Sequence, residues 1–70
     1  MSNDLEEILN NFKLTIIEYI NSKNIHVIDD NGYKYKINKD NIKRRNKLPH
    51  LFRGNPYAQD NIQLYLDKNN

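Results

Sequence analysis

Apolar side chains recur through the first third of the chain at the spacing of a helix. Leu5, Ile8, Leu9, Phe12, Ile16, Tyr19 and Ile20 fall on one stripe, the arrangement of an amphipathic helix with one buried face. Asn3 stands at the N-cap position with Glu6 three residues on, a variant of the capping box. Asp4, Glu6 and Glu7 suit the positive end of the helix dipole, and Asn21, Ser22 and Asn24 end the pattern. The spacing predicts a helix over 4–23.

The period then shortens to two. Ile25-His26-Val27-Ile28 and Tyr33-Lys34-Tyr35-Lys36-Ile37 flank Asp29-Asp30-Asn31-Gly32, and Asn-Gly between β-rich runs is a strong hairpin signal because both residues tolerate positive φ. A hairpin over 25–38 follows, with Tyr33, Tyr35 and Ile37 facing inward and Lys34 and Lys36 outward. Two registers remain open: a two-residue loop sets Ile28 beside Tyr35, a three-residue loop sets Val27 there. Lys39 to Arg45 reads as a short helix capped by Asn38 and anchored by Ile42, and 46–54 as an ordered loop pinned by Leu48, Leu51 and Phe52. Asn55 as N-cap and Pro56 at the first helical position open a last helix over 56–67, with Ala58, Ile62, Tyr65 and Leu66 as its apolar face. Tyr19 and Tyr65 are expected in the core with Tyr33 and Tyr35, and Tyr57 closes the loop against the last helix. The fold class is α+β: N-terminal amphipathic helix, β-hairpin, short helix, ordered loop and C-terminal helix, in one domain over 1–70.

Length and composition narrow this further. Seventy residues support one small core, and a chain of that size buries only about 60% of the surface it exposes when unfolded. The absence of cysteine removes disulfide scaffolds, thiolate zinc sites and a cysteine nucleophile together. The acidic start lacks the apolar run of a secretory signal, and no stretch is long enough to span a membrane, so an intracellular location is expected. Ile, Asn and Lys supply 30 of the 70 residues. All three are spelled by A/T-rich codons, so the excess of Asn and Lys is discounted as a sign of function.

Charge is the more informative feature. The net charge of +2 hides a split: residues 1–30 carry −4, residues 31–54 carry eight bases against Asp40 for a net of +7, and residues 55–70 carry −1. Such polarity points to a phosphate backbone or an acidic surface meeting the middle third. Lys34, Lys36, Lys43, Arg44, Arg45, Lys47 and Arg53 are the candidate nucleic-acid-binding residues: arginine suits phosphate and guanine edges, lysine supplies a mobile charge. A ribbon presenting Lys34 and Lys36 fits the major groove, with Asn41, Asn46 and Asn55 as further contacts. The plain alternative is a solvated face whose lysines guard strand edges. Catalysis has little support, since the sequence holds no Gly-rich phosphate loop, no Ser-centred nucleophile elbow and no acid–acid–Lys nuclease triad, and no metal or other cofactor is expected. His26 reads as a half-buried strand residue and His50 as a loop residue able to touch a phosphate. Asp29-Asp30-Asn31-Gly32 lacks the alternating ligands of a calcium loop and is explained by its turn.

One resemblance adds to this reading. Asp30-Asn31-Gly32-Tyr33-Lys34-Tyr35, Asn41-Ile42-Lys43, Pro49, Phe52, Asn55-Pro56-Tyr57, Asn61-Ile62 and Leu64-Tyr65-Leu66 together resemble a small module of phages and prophages of low-GC Gram-positive bacteria. That module occurs beside zinc-ribbon or homing-endonuclease-like segments. The likeness spans about residues 28 to 66. It implies a part that helps grip DNA, working in the host cytoplasm. Tyr65 stands where the pattern has Trp, and the sequence stops at Asn70 without the zinc-binding or nuclease segment, which implies an excised module or a stand-alone relative. The leading expectation is therefore a phage-type, non-catalytic nucleic-acid-binding module with duplex DNA as partner. The rival is a phage-encoded, anti-CRISPR-like inhibitor that binds a host defence protein or ribonucleoprotein. A third reading is a homodimer through Leu14 and Ile17, which lie off the main helical stripe.

Overall fold

The N-terminal apolar stripe is divided between a helix and a strand. The computed structural model describes residues 4–69, with helix α1 over Asp4–Phe12 and strand β1 over Leu14–Asn21. The expected Asn3 cap lies outside the described residues. Lys13 makes the break: its φ is +57°, and its N–H reaches back to the Asn10 carbonyl at 3.3 Å. A helix over 4–23 is thus corrected beyond Phe12. The spacing of apolar residues fits either outcome there, and residue type decides. Thr15, Ile16, Ile17 and Ile20 are β-branched and Tyr19 is aromatic, so each loses rotamer freedom in a helix and packs well on a pleated surface. The sheet gains as well, because a lone hairpin is marginal in water and β1 supplies a third strand.

Asn21 to Asn24 turn the chain into β2 (Asn24–Asp29) instead of ending a helix. Asn21 Oδ1 accepts from the Lys23 N–H at 2.9 Å and from the Asn24 amide at 3.0 Å, the local side-chain bonding that suits Asn to turns. β2 pairs with β3 (Lys34–Ile37), giving an antiparallel sheet in the order β1-β2-β3. Val27 lies opposite Tyr35 and Ile25 opposite Ile37, which is the register of the three-residue loop. Asp30, Asn31 and Gly32 form that loop, with Gly32 at φ +92° and the Asp29 N–H donating to the Tyr33 carbonyl at 2.9 Å. A left-handed glycine closing a three-residue loop is a common hairpin solution.

The core lies on one face of the sheet. Leu14, Ile25, Val27, Tyr35 and Ile37 are buried there with Ile8 of α1 and Ile42 of helix α2 (Lys39–Arg45). Each such isoleucine contributes about 1.5–3 kcal/mol through burial. α2 is set by Asn38, whose Oδ1 accepts from the Asp40 and Asn41 N–H groups at 3.0 and 3.3 Å. Leu48 and Leu51 of the following loop are half-buried against the cluster. Beyond Leu14, β1 is exposed along its length, so Tyr19 is not a core residue.

Helix α3 spans Ala58–Lys68 and docks differently from expectation. Asn55 does not cap it. The Asn55 side chain closes the turn ahead of it, accepting from the Tyr57 N–H at 2.9 Å, and the first capping position falls to Tyr57, which makes no side-chain cap bond. Ile62, Tyr65 and Leu66 are exposed rather than buried. The buried residue of α3 is Asn61, 1% exposed, because the helix lies against backbone at the β3 end of the sheet and not against an apolar face. No helix among the described residues is long and apolar enough to cross a membrane.

Candidate nucleic-acid interface

The basic middle third is sorted by the fold into residues that line a groove and residues tied elsewhere. Lys43, Arg44 and Arg45 are consecutive and exposed on α2, and successive helical positions point about 100° apart, so the three side chains meet different neighbours. Lys43 Nζ binds Asp4 Oδ2 at 2.7 Å, tying α2 to α1. That hydrogen bond, with the charge of Asp4, raises the lysine pKa above its ordinary value. Arg44 folds back on its own helix, donating to Asn41 Oδ1 at 2.9 Å. Arg45 instead lines an open groove.

That groove has a volume of about 590 Å³ and lies between the end of β3, α2 and the loop that follows. Ile37, Ile42, Leu48 and Pro49 supply apolar lining, and Lys23, Lys36, Arg45 and Lys47 supply four cations, with no carboxylate among the lining residues. Local chemistry assembles it. Asn46 takes φ +53° as the C-cap of α2 and donates its N–H to the Ile42 carbonyl at 2.8 Å, reversing the chain so that Lys47 to His50 return past the helix. His50 Nδ1 accepts from the N–H groups of Phe52 and Arg53, both at 3.0 Å, which places the ring proton of the neutral form on Nε2. The Lys39 N–H donates to the Ser22 carbonyl at 2.8 Å, and this bond brings the β1–β2 turn, with Lys23, to the groove.

The other candidates stand apart. Lys34 is half-buried, paired with Asp60 Oδ2 at 3.6 Å and set 5.8 Å from the Tyr57 ring centre. The Lys34/Lys36 face of the hairpin is therefore not a bare ribbon. Arg53 is exposed in the turn that His50 stabilises and does not line the groove. Asn41 lines it, whereas Asn55 is buried and spends its amide on the Lys34 and Leu51 carbonyls at 2.8 and 2.9 Å. His26 is half-buried with Nδ1 2.7 Å from the Tyr57 hydroxyl, linking β2 to the segment before α3.

Of the seven residues singled out by charge, the structure gathers Lys36, Arg45 and Lys47 and adds Lys23. Lys23 was not legible as a site residue because it stands in an acidic stretch and is recruited by one backbone hydrogen bond. Among the described residues, no group of three or more His, Asp or Glu side chains is placed to hold a metal ion. No protein-family model, curated protein or solved structure shows significant similarity to this chain.

Proposed function

We propose that this chain is a non-catalytic nucleic-acid-binding module of the phage type, gripping the phosphate backbone of duplex DNA along the groove between β3, α2 and the 47–50 loop. One observation carries the reading: Lys23, Lys36, Arg45 and Lys47 converge without a neutralising carboxylate in the lining. Cations held together in that way raise the local potential and attract a polyanion. The apolar lining residues Ile37, Ile42, Leu48 and Pro49 suit sugar and base edges, and the cations suit phosphates. Lys34 and Lys43 serve the scaffold in this account, since each is already paired with a carboxylate.

The test is an anisotropy titration of labelled duplex DNA at several salt concentrations. Four engaged cations give a slope of log K against log salt of about −3.6. Replacing Lys36, Arg45 and Lys47 by Ala is expected to flatten it by about 2.7, whereas Lys34→Ala and Lys43→Ala leave it nearly unchanged. A triple variant that binds with the wild-type slope would refute the groove assignment. No salt-dependent binding at all would favour the rival, with the groove meeting an acidic surface on a host defence protein.

A further inference from the structure

We infer that β1 is a self-association edge, and that two copies of this chain pair β1 against β1 in antiparallel fashion, joining two three-stranded sheets into one of six. β1 is the outer strand of the sheet. Ile16, Ile17, Tyr19 and Ile20 are 37, 47, 53 and 56% exposed. The pairing with β2 sets Ile16 and Tyr19 on the face of Val27 and Ile25, and Glu18 on the face of His26. Ile17 and Ile20 fall where the register slips. Apart from those two slips the edge has little protection: it holds one charged residue in eight and no proline, and its backbone groups invite another strand.

The opposite edge is short and blocked at its first residue. Asn61 occupies the N–H and carbonyl of Lys34, the first residue of β3, and Asn55 donates to the same carbonyl. This asymmetry selects the occupant. A sheet with two open edges grows into fibres, whereas like edges meeting about a two-fold axis stop at two copies. The partner strand must also be long, uncharged over most of its length and apolar on both faces. Among the described strands β1 alone meets that demand, since β2 is central and β3 is four residues long, carries two lysines and is blocked at Lys34.

Charge also restricts the register. Two-fold pairing centred on Glu18 would oppose two carboxylates, which is destabilising. Centred one residue earlier, it sets Ile17 against its own counterpart and Leu14 against Ile20 of the second copy, with no like charges opposed. The strand edge is about 26 Å long and about 10 Å deep with side chains on both faces. That is small beside the roughly 800 Å² per partner of a standard interface, so a reversible dimer with a micromolar Kd is expected rather than an obligate one.

Sedimentation of the full chain from low micromolar to about 1 mM tests this. The expected mass rises from one copy to two and no further, while amide exchange over Thr15–Asn21 slows with concentration. Ile17→Glu should weaken dimerisation by at least about tenfold with an unchanged far-UV circular dichroism spectrum, and Leu66→Glu on α3 should not affect it. A monomer throughout the range would leave the edge to a different partner and overturn the proposal. So would assembly beyond two copies, or a dimer lost with Leu66→Glu and kept with Ile17→Glu. Should Ile17→Glu fail to fold, wild-type exchange decides: protection in β1 that does not depend on concentration overturns the pairing.

Discussion

Asn61 meets the backbone of Lys34 as a neighbouring strand would. Its Oδ1 accepts from the Lys34 N–H and its Nδ2 donates to the Lys34 carbonyl, both at 2.8 Å, and Nδ2 also reaches the Leu51 carbonyl at 2.8 Å. One side chain thus joins α3, the edge of β3 and the loop after α2. Asn55 duplicates part of this, donating to the same two carbonyls, but among the described contacts the Lys34 N–H is held by Asn61 alone.

That difference separates two otherwise similar substitutions. Asn61→Ala leaves the part-buried Lys34 N–H without its acceptor, and an unsatisfied donor shielded from water costs about 1–3 kcal/mol. Lost packing adds to this, so a loss of about 3 kcal/mol is expected in urea unfolding. Asn55→Ala leaves both carbonyls bonded by Asn61 but takes the acceptor from the Tyr57 N–H in the turn ahead of α3, and is expected to cost less, about 1–2 kcal/mol. The double variant strips both carbonyls as well, so its loss exceeds the sum of the singles. Strict additivity would show that the two amides do not share their work.

How far the fold was legible follows from the same residues. The hairpin and α2 were readable because their determinants are local: an Asn-Gly turn, alternating side chains, and an Asn cap ahead of Ile42. The break at Lys13 was not, because the apolar residues of 14–21 satisfy helical spacing while their β-branched character favours a strand. The role of Asn61 was hidden for a different reason. An Asn on a helix reads as surface, and only the approach of two backbone segments distant in sequence makes it the most buried residue of α3. The candidate site was legible as a charge excess, but not in its composition, since pairing of Lys34 with Asp60 and of Lys43 with Asp4 depends on tertiary contacts.

Two glycines with positive φ are expected to respond differently to alanine. Gly32 and Gly54 have φ of +92° and +70°, so a side chain at either is strained by about 1 kcal/mol. At Gly54 an added Cβ meets nothing within 4 Å, whereas at Gly32 it stands 3.1 Å from Leu64 Cδ2 on α3. Gly54→Ala is expected to cost about 1 kcal/mol and Gly32→Ala about 2. Leu64→Ala should remove the excess at position 32. Equal losses at both glycines in thermal unfolding would mean that α3 does not press on the turn.

Lys13 offers the converse experiment. Its φ of +57° costs a non-glycine residue about 1–2 kcal/mol, yet the position must be left-handed to turn α1 into β1. Lys13→Gly relieves that strain while adding unfolded-state entropy, so the net is neutral to about 1 kcal/mol stabilising. Lys13→Val is expected to destabilise by about 1–2 kcal/mol, because a β-branched residue tolerates this region poorly. A valine variant as stable as wild type in urea would show that the break does not need a left-handed residue.

The alkaline limit of stability should carry the mark of Tyr35. Its phenol is buried in the core and donates to Asp29 Oδ2 at 3.2 Å. Burial first, then the charge of the Asp29 carboxylate and the hydrogen bond to it, push its pKa far above the ordinary value near 10. The folded chain therefore keeps this proton at a pH where the unfolded chain has lost it. The folded state then binds more protons, so unfolding becomes easier as pH rises past about 10. Below that pH the contribution of Tyr35 is fully present. Lys43, raised by Asp4, acts in the same direction, and the Tyr35→Phe variant separates the two. It is expected to lose about 1 kcal/mol at neutral pH, the worth of one hydrogen bond, and to show a shallower decline of the urea midpoint between about pH 9 and 11. The gap between wild type and variant should narrow across that window. A constant gap would show that the Tyr35 phenol ionises in the folded chain as readily as in the unfolded one, and that Asp29 does not hold its proton.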